Sequence, residues 1–417
     1  MTVAVHRLHL DVDDQIRQRY HEIPFEVSAQ SSVEVTLRYE TDDLDDAVVD
    51  LGCQGPAGWR GWSGGARSRF VITPEAATPG YQPGELEPGT WAVVLGLHVV
   101  PAAGVDIEVT ISLPAVGPVE AEPTAPSATT GFRGHHRCLP APDGLTWFAG
   151  DFHSHTLHSD GDQSIAQLAH GATVAGLDFL AITDHNTVSH HPHLPGIGAA
   201  YDLTLLPGQE ITTSRGHANA FGEIGWIDFR EPADTWVDEV ESRGGIMSIN
   251  HPLEGDCAWQ HHLSRFPPAI ELWHIGWFRD LTSAAMWALW PTWNREAIVL
   301  GGSDFHHEGR GWPPGTPTTW VAATDRSPEA ILDAVRQGRT AITRSPDPDA
   351  PTLLRVEGEL VAIDADGSVL VDIRGRKRLI HGDKVTFQPD TVSGPAAAGE
   401  GPYRLESSSR HLLAITP

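Results

Sequence analysis

The fold can be predicted from residues 146–187, TWFAGDFHSHTLHSDGDQSIAQLAHGATVAGLDFLAITDHNT. In it the apolar segment WFAG is followed by Asp151, and LDFLAIT is followed by Asp184 and His185. Between these segments, residues 165–172 keep the i, i+3, i+4, i+7 apolar spacing of a helix. A strand, a helix and a second strand in this order predict a βαβ unit, in which the groups that follow each strand lie at one edge of a parallel sheet.

The same alternation of apolar segments and helical patterns continues towards residue 345. The candidate strands are 177–183, 203–206, 245–250, 270–274 and 297–301. Ser327 and Pro328 predict the N-cap and first position of a helix that ends before Gly338. We therefore expect an α/β domain over residues 147–345.

The flanking regions predict β structure. Residues 1–115 contain short alternating segments, such as 33–37 and 105–111, separated by Gly, Pro and Asp clusters, which favours an antiparallel β-sandwich. Residues 116–146 are rich in Pro, Ala, Ser and Thr and predict a linker. Residues 346–417 return to short strands and predict a small β module.

The composition excludes several classes of function. The 417 residues carry 28 Lys and Arg against 55 Asp and Glu, a formal net charge of −27, which disfavours nucleic-acid binding. No apolar run reaches the roughly 18 residues of a membrane-spanning helix. The N-terminus does not have the pattern of a signal peptide, and three distant cysteines predict no disulfide framework. We expect a cytoplasmic protein.

Histidine is the unusual residue of this sequence, because 15 of the 23 histidines lie between Asp151 and His307. His153 and His155 are two residues apart, so on an extended strand they project from the same face. Neutral imidazole is the commonest transition-metal ligand. An exposed histidine-rich loop is the alternative, but the apolar WFAG segment immediately before these residues disfavours it.

Asp160 follows His153 and His155 in the same segment, before a glycine that allows a sharp turn. Further candidate ligands follow later candidate strands, and they are His185, Glu210, His217, His251, Asp304 and His306. Asp304 and His306 repeat the spacing of His153 and His155. Any one of these residues alone is weak evidence, but successive strands that deliver such groups to the same end predict a metal site.

These motifs resemble those of a known superfamily. HSHTLHSDG, TDHNT, EITT followed by GH, NHP and GGSDFH are similar to the motif series of the polymerase-and-histidinol-phosphatase (PHP) superfamily over about residues 147–345. The N-terminal GWRGWSGG and ELEPGTW segments look like the carbaryl-hydrolase-like (CehA/McbA) branch. The resemblance implies a distorted seven-stranded β/α barrel with two to three divalent metals (Zn, Mn or Fe) at its carboxyl rim.

The resemblance also implies which residues hold each metal. For the first metal they are His153, His155, Glu210 and Asp304; for the second, the bridging Glu210 with His217 and His251; for the third, Asp160, His185 and His306. Two positions depart from the pattern, since Asp160 stands where many relatives carry His and His274 where the branch leads us to expect Asn.

A cluster of divalent cations that activates water indicates hydrolysis. The leading expectation is a phosphoesterase acting on a small molecule. A carboxylic or carbamate ester hydrolase is the alternative, and a non-catalytic metal-containing binding protein is the alternative of another class. We expect neither a nucleic-acid nor a membrane partner.

Residues around the metal ligands are candidates for substrate binding. A guanidinium group can bind a phosphate through two parallel hydrogen bonds, and the candidates are Arg215, Arg265, Arg279 and Arg310, with Arg215 and Arg310 ranked highest because they flank ligand motifs. A surface ion pair is the alternative for each arginine. His274 is a candidate general acid, with a packing role as the alternative. Asn186 and His190 are further pocket candidates, and five tryptophans between residues 273 and 293 predict either core or an aromatic substrate wall.

Overall fold

The computed structural model describes residues 2–28, 31–40, 47–282, 285–389 and 397–417, without the side chains of Asp256, Arg310, Pro389 and Ala397. Two compact units divide the chain. The first unit contains Met1–Thr124, His155–Ser164 and Asp184–Pro192, and the second contains Ala125–Ser154, Ile165–Thr183 and His193–Pro417. The first unit thus includes two segments from within residues 147–345.

The first unit is built on two four-stranded antiparallel sheets. Its regular elements are β1 (Thr2–Leu10), α1 (Val12–Arg17), β2 (Tyr20–Val27), β3 (Val33–Glu40), β4 (Val48–Gly55), β5 (Gly58–Gly64), β6 (Arg69–Ile72), β7 (Gly89–Val99) and β8 (Val105–Leu113). The strand orders are β1-β8-β3-β6 and β2-β7-β4-β5. Alternate residues of both sheets, such as Val33, Val35 and Leu37 of β3 and Val93 and Leu95 of β7, form one hydrophobic core. The alternating pattern in the sequence predicts this arrangement.

The second unit combines helices with a large sheet, which confirms the α/β class. Its elements are β9 (Thr146–Asp151), α2 (Ile165–Val174), β10 (Phe179–Ile182), α3 (Leu194–Tyr201), β11 (Thr204–Thr213), β12 (Gly216–Phe221), α4 (Ala233–Ser242), β13 (Ile246–Ile249), β14 (Ala269–Trp273), α5 (Ile275–Arg279), α6 (Ala285–Trp293), β15 (Ile298–Gly301), β16 (Thr318–Ala323), α7 (Pro328–Arg336), β17 (Thr340–Thr343), β18 (Thr352–Val356), β19 (Glu359–Ile363), β20 (Val369–Val371), β21 (Lys377–Leu379), β22 (Lys384–Pro389), β23 (Ala397–Gly399), β24 (Tyr403–Glu406) and β25 (Leu412–Thr416).

The direction of the strands determines where the candidate ligands meet. The large sheet has the order β15-β14-β13-β12-β11-β10-β9-β16-β17-β25-β24-β20-β21. Strands β9, β10 and β11 are parallel, as are β13, β14 and β15, and β12 is antiparallel to both of its neighbours. Six strands therefore run in one direction, namely β9, β10, β11, β13, β14 and β15. Their carboxyl ends share one edge of the sheet.

The closed seven-stranded barrel stays a prediction, because β15 and β16 are not paired through backbone hydrogen bonds in the strand order. Side chains connect these strands instead. Thr319 Oγ1 accepts from the Gly301 amide at 2.7 Å and donates to the Gly301 carbonyl at 3.0 Å. Thr340 Oγ1 donates to the Val299 carbonyl at 3.0 Å. The edge strand β15 thus lies beside β16 and β17. The C-terminal strands β25, β24, β20 and β21 continue the same sheet beyond β17.

Helix α7 begins as expected: Ser327 is its N-cap, accepts from the Ala330 amide at 3.3 Å and is followed by Pro328. One strand is longer than expected. β11 continues to Thr213 and forms a hairpin with β12, so Glu210 lies inside a strand, opposite Asn219, rather than after one. Thr212 and Thr213 favour extended backbone, which explains the extension.

Among the described residues, each helix is too short or too polar to cross a membrane.

Candidate metal centre

The backbone at the end of β9 is held by a buried carboxylate. Asp151 Oδ1 accepts from the amides of His153 at 3.1 Å and Ser303 at 3.0 Å. Its Oδ2 accepts from Ser303 Oγ at 2.5 Å and from the Gly315 amide at 2.7 Å. These hydrogen bonds join the segment after β9 to the segment after β15, so His153 and Asp304 are brought together by Asp151.

The His153 imidazole is fully buried and contacts carboxylates on both sides. Its Nδ1 lies 2.9 Å from Glu271 Oε1, and its Nε2 lies 3.2 Å from Glu210 Oε1 and 3.3 Å from Asp304 Oδ1. Because an ionised carboxylate only accepts, Nδ1 donates to Glu271. That hydrogen bond orients the ring and directs Nε2 towards Glu210 and Asp304.

Glu210 is the carboxylate on which the imidazoles converge. Besides His153, its Oε1 lies 3.2 Å from His217 Nδ1 and 3.4 Å from His251 Nε2. The same oxygen accepts from Asn250 Nδ2 at 2.8 Å. The hairpin explains the geometry: β12 is antiparallel, so His217, near the beginning of β12, comes to the edge of the sheet where β13 ends and His251 follows.

Glu271 was not among the sequence-predicted site residues. It lies in β14, and its two oxygens accept from His153 Nδ1 at 2.9 Å and from the His251 amide at 2.8 Å. It therefore fixes one imidazole and the backbone of a second histidine. The signal in the sequence is the glutamate in the segment AIELW, every residue of which is buried. A charged side chain in such a strand requires a partner.

The carboxylates change the electrostatics of the buried imidazoles. Burial alone would lower the pKa of His153, but the charges of Glu210, Glu271 and Asp304 raise it well above its usual value. Burial likewise opposes the charged form of His251, but Cys257, Glu210 and Glu271 raise its pKa well above the usual value. The centre thus stabilises positive charge.

Asp304 and His306 follow β15. The His306 Nδ1 lies 2.8 Å from the Asp304 carbonyl, which can only accept, so Nδ1 donates and Nε2 is left as the ligand nitrogen. Asp304 and His251 both have positive φ, 50° and 27°. Such backbone is costly for residues other than glycine and is often found at functional sites.

The centre is buried on one side and open on the other. The side chains of His153 and Glu210 are inaccessible to solvent. Those of His217, Asp304 and His306 are 16%, 15% and 11% exposed. Solvent therefore reaches the centre from the side of His217, Asp304 and His306.

The three remaining predicted ligands lie together in the first unit. His185 Nε2 is 3.5 Å from Asp160 Oδ1, His155 Nδ1 is 4.0 Å from the same oxygen, and the two imidazole rings stack at 4.3 Å. Each residue offers a ligand atom within 4.8 Å of the others. The buried Asp184 beside them accepts from the Thr156 amide at 2.8 Å.

His274, the candidate general acid, is buried at the N-cap of α5. Its Nδ1 accepts from the Gly276 amide at 3.0 Å, and its Nε2 lies 3.2 Å from Met286 Sδ. Burial, together with the charge of His251, lowers the pKa of His274 to about 3. These contacts favour the packing role, and the assignment as general acid stays a prediction.

The candidate arginines have varied surroundings. Arg215 is exposed and donates to the Gln260 carbonyl at 2.9 Å. Arg265 forms ion pairs with Asp238 and Glu241 at 2.9 and 2.7 Å, and Arg279 forms one with Glu254, as in the surface ion-pair alternative. The side chain of Arg310 lies outside the described part of the chain.

The remaining pocket candidates are mostly buried. Asn186 and His190 are buried, and His190 Nδ1 lies 3.2 Å from Asp184 Oδ2. Trp273, Trp277, Trp287 and Trp290 belong to one hydrophobic core, and Trp293 packs against it. The tryptophans therefore form core rather than an aromatic substrate wall.

The donor set in the second unit fits a divalent metal. Imidazole nitrogens and carboxylate oxygens suit Zn, Mn and Fe. Glu271 supplies the hydrogen bond to the other ring nitrogen that metal-binding histidines make. Two carboxylates, those of Glu210 and Asp304, lie against one buried imidazole nitrogen, so a cation there would compensate charge whose burial is costly.

Comparison with known proteins gives distant similarities of structure. No family model and no curated protein matches the sequence. One similar solved structure is a two-domain protein from Bacteroides vulgatus ATCC 8482 that contains a predicted PHP-like metal-dependent phosphoesterase, with 17% identity, a TM-score of 0.39, and coverage of 71% of this chain and 91% of that one. Another is a proposed metal-dependent phosphoesterase from Bifidobacterium adolescentis ATCC 15703, with 19% identity, a TM-score of 0.30, and coverage of 45% and 94%. Similarities of this size do not define a family for the chain.

Proposed function

We propose that the chain is a metal-dependent hydrolase that acts on a small-molecule ester, with a phosphoester as the substrate class. The observation that carries the proposal is the convergence of His153, His217 and His251 on one oxygen of Glu210, at 3.2–3.4 Å. Divalent cations held by such ligands lower the pKa of a coordinated water and stabilise negative charge on ester oxygens.

The residues of the second unit divide into two roles. His153, Glu210, His217, His251 and Asp304 are the proposed metal ligands, with His306 beside Asp304. Glu271 and Asp151 orient the ligands through buried hydrogen bonds. This preorganisation means that the ligands need little rearrangement when cations bind, which favours both affinity and catalysis.

The first unit contains a separate group of proposed ligands, His155, Asp160 and His185. Together with the nine-ligand pattern of the motif resemblance, this group supports a third cation, and we propose a trinuclear content of Zn, Mn or Fe. A phosphoester fits several cations because its non-bridging oxygens spread negative charge over more than one of them. Arg215, exposed near His217, is the proposed additional contact for a phosphate.

Substrate hydrolysis tests this proposal. Untagged protein loaded with Mn or Zn is assayed with p-nitrophenyl phosphate, 1-naphthyl carbamate and 1-naphthyl acetate. We expect hydrolysis of the phosphoester, loss of that activity with a chelator, and its return when metal is added back.

The control is Glu210→Gln protein purified by the same procedure, which measures contaminating hydrolases. Cleavage of the carbon esters alone would overturn the phosphoester assignment in favour of the carboxylic or carbamate ester alternative. Metal-loaded protein that cleaves none of the three esters above this control would contradict the hydrolase proposal and favour a non-catalytic binding protein.

A further inference from the structure

Two ligand-bearing segments belong to the same compact unit as the β-sandwich. We define the first ligand loop as residues 155–164, which carry His155 and Asp160, and the second ligand loop as residues 184–192, which carry His185. The sandwich makes specific polar contacts with both loops, and these contacts have no part in the hydrolase chemistry described above.

Arg67, between β5 and β6, contacts the first ligand loop. Its Nη1 donates to the Ser159 carbonyl at 2.8 Å, and its Nη2 donates to the Leu157 carbonyl. The two acceptors are two residues apart in the turn that leads to Asp160. A guanidinium group can satisfy both at once because its donors lie in one rigid plane, whereas an ammonium group cannot reproduce that geometry.

Gly80, between β6 and β7, contacts both loops. Its carbonyl accepts from Thr187 Oγ1 of the second loop at 2.8 Å, and its amide points to His158 Nδ1 of the first loop at 3.4 Å. Gly80 has φ +100°, and an added Cβ would lie 2.9 Å from the His158 carbonyl oxygen and 2.7 Å from that of Trp62. Only glycine permits this close approach.

The two loops are also bonded to each other. Asp184 accepts from the Thr156 amide and from Thr156 Oγ1, each at 2.8 Å, and from Ser159 Oγ at 2.7 Å. His158 Nδ1 lies 2.7 Å from Ser189 Oγ. A displacement of either loop is therefore transmitted to the other, and Arg67 and Gly80 act on both.

We propose that Arg67 is a positioning residue, through which the β-sandwich holds His155, Asp160 and His185 in the arrangement that binds a cation. The cation in this inference rests on the proposed function, whereas the positioning of the three side chains by Arg67 does not. Arg67 donates to two backbone carbonyls of the first ligand loop and its charge also acts on Asp160, so its effect reaches the ligands through the loop backbone and through that charge.

Hydrogen exchange of metal-free Arg67→Ala protein tests the positioning directly. Amides of the first ligand loop are bonded within the unit, as from Leu157 to the Gln163 carbonyl and from Thr156 to Asp184. We expect exchange across residues 155–164 and 184–192 to become faster by about tenfold or more, because two hydrogen bonds from a charged donor are lost. Exchange in β3 and β8 should stay unchanged.

The matched control is Arg69→Ala, two residues away. Arg69 pairs with Glu34 of β3 at 2.7 Å and donates to the Pro118 carbonyl. It should leave the ligand loops unchanged. Arg67→Lys should have an intermediate effect, since it retains one of the two donated bonds.

Metal titration of the same variants completes the test. In Arg67→Ala, one cation should need a metal concentration about tenfold higher for half-saturation than in the wild type. Arg69→Ala should bind this cation as the wild type does. Unchanged loop exchange in Arg67→Ala, or equal acceleration in β3 and β8, would overturn the inference. Faster loop exchange in a chain that binds no metal would retain the positioning role and instead contradict the proposed function.

Discussion

Glu210→Gln should lower kcat/KM for the phosphoester by about a thousandfold or more, which corresponds to roughly 4 kcal/mol of transition-state stabilisation. The substitution keeps the size of the side chain but removes the negative charge and one of the two carboxylate oxygens. Three imidazole nitrogens lie within 3.4 Å of Glu210 Oε1, so the substitution changes the group on which these proposed ligands converge. Steady-state kinetics in saturating Mn or Zn measures the effect.

The control for this substitution is Glu231→Gln, which removes the same charge from an exposed position of the second unit. It should retain wild-type kinetics. Circular dichroism should show the native content of helix and strand in both variants, because Glu210 is not part of a hydrophobic core. Full activity in folded Glu210→Gln would refute the role of Glu210 as a bridging ligand.

Glu271→Gln should weaken metal affinity about 10- to 100-fold, the range typical when a residue that orients a metal ligand is changed. Glu271 accepts from two donors, His153 Nδ1 and the His251 amide. Glutamine offers one acceptor oxygen and one NH2 group. Either His153 Nδ1–H or the His251 amide must therefore face the NH2 group, which is a donor, and lose its hydrogen bond. Isothermal titration of metal-free protein measures the loss.

Activity of Glu271→Gln should fall at limiting metal and recover towards the wild-type value in excess metal, because the metal ligands themselves are intact. Glu296→Gln, an exposed glutamate before β15, is the control and should bind metal normally. Wild-type affinity in Glu271→Gln would show that this residue serves only to stabilise the strand. A loss that excess metal does not reverse would instead indicate that Glu271 takes part in the reaction.

The α/β class and the edge at which the candidate ligands meet could be predicted, because both depend on local patterns. Apolar segments that end directly in His or Asp, as at Asp184 and His251, indicate a strand followed by a functional loop. The extension of β11 past Glu210 could not be located, since an alternating Thr-rich segment is compatible with either a strand or a loop. The hairpin depends on pairing with β12, which is a tertiary contact.

Glu271 was missed for a different physical reason. A glutamate in an apolar segment has no spacing relation to the histidines that it orients, because its partners are 118 and 20 residues away. The side-chain contacts of Thr319 and Thr340 with β15, and the grouping of the two ligand loops with the β-sandwich, likewise depend on contacts between distant segments. Such contacts leave no periodic signal in a single sequence.

Inductively coupled plasma mass spectrometry of untagged protein tests whether this chain holds a multinuclear divalent metal centre. We expect two to three equivalents of Zn, Mn or Fe per chain, as the predicted ligand set requires. Glu210→Gln should retain fewer equivalents than the Glu231→Gln control. Fewer than two equivalents in the wild-type protein, after incubation with each metal and removal of the excess, would contradict the multinuclear centre.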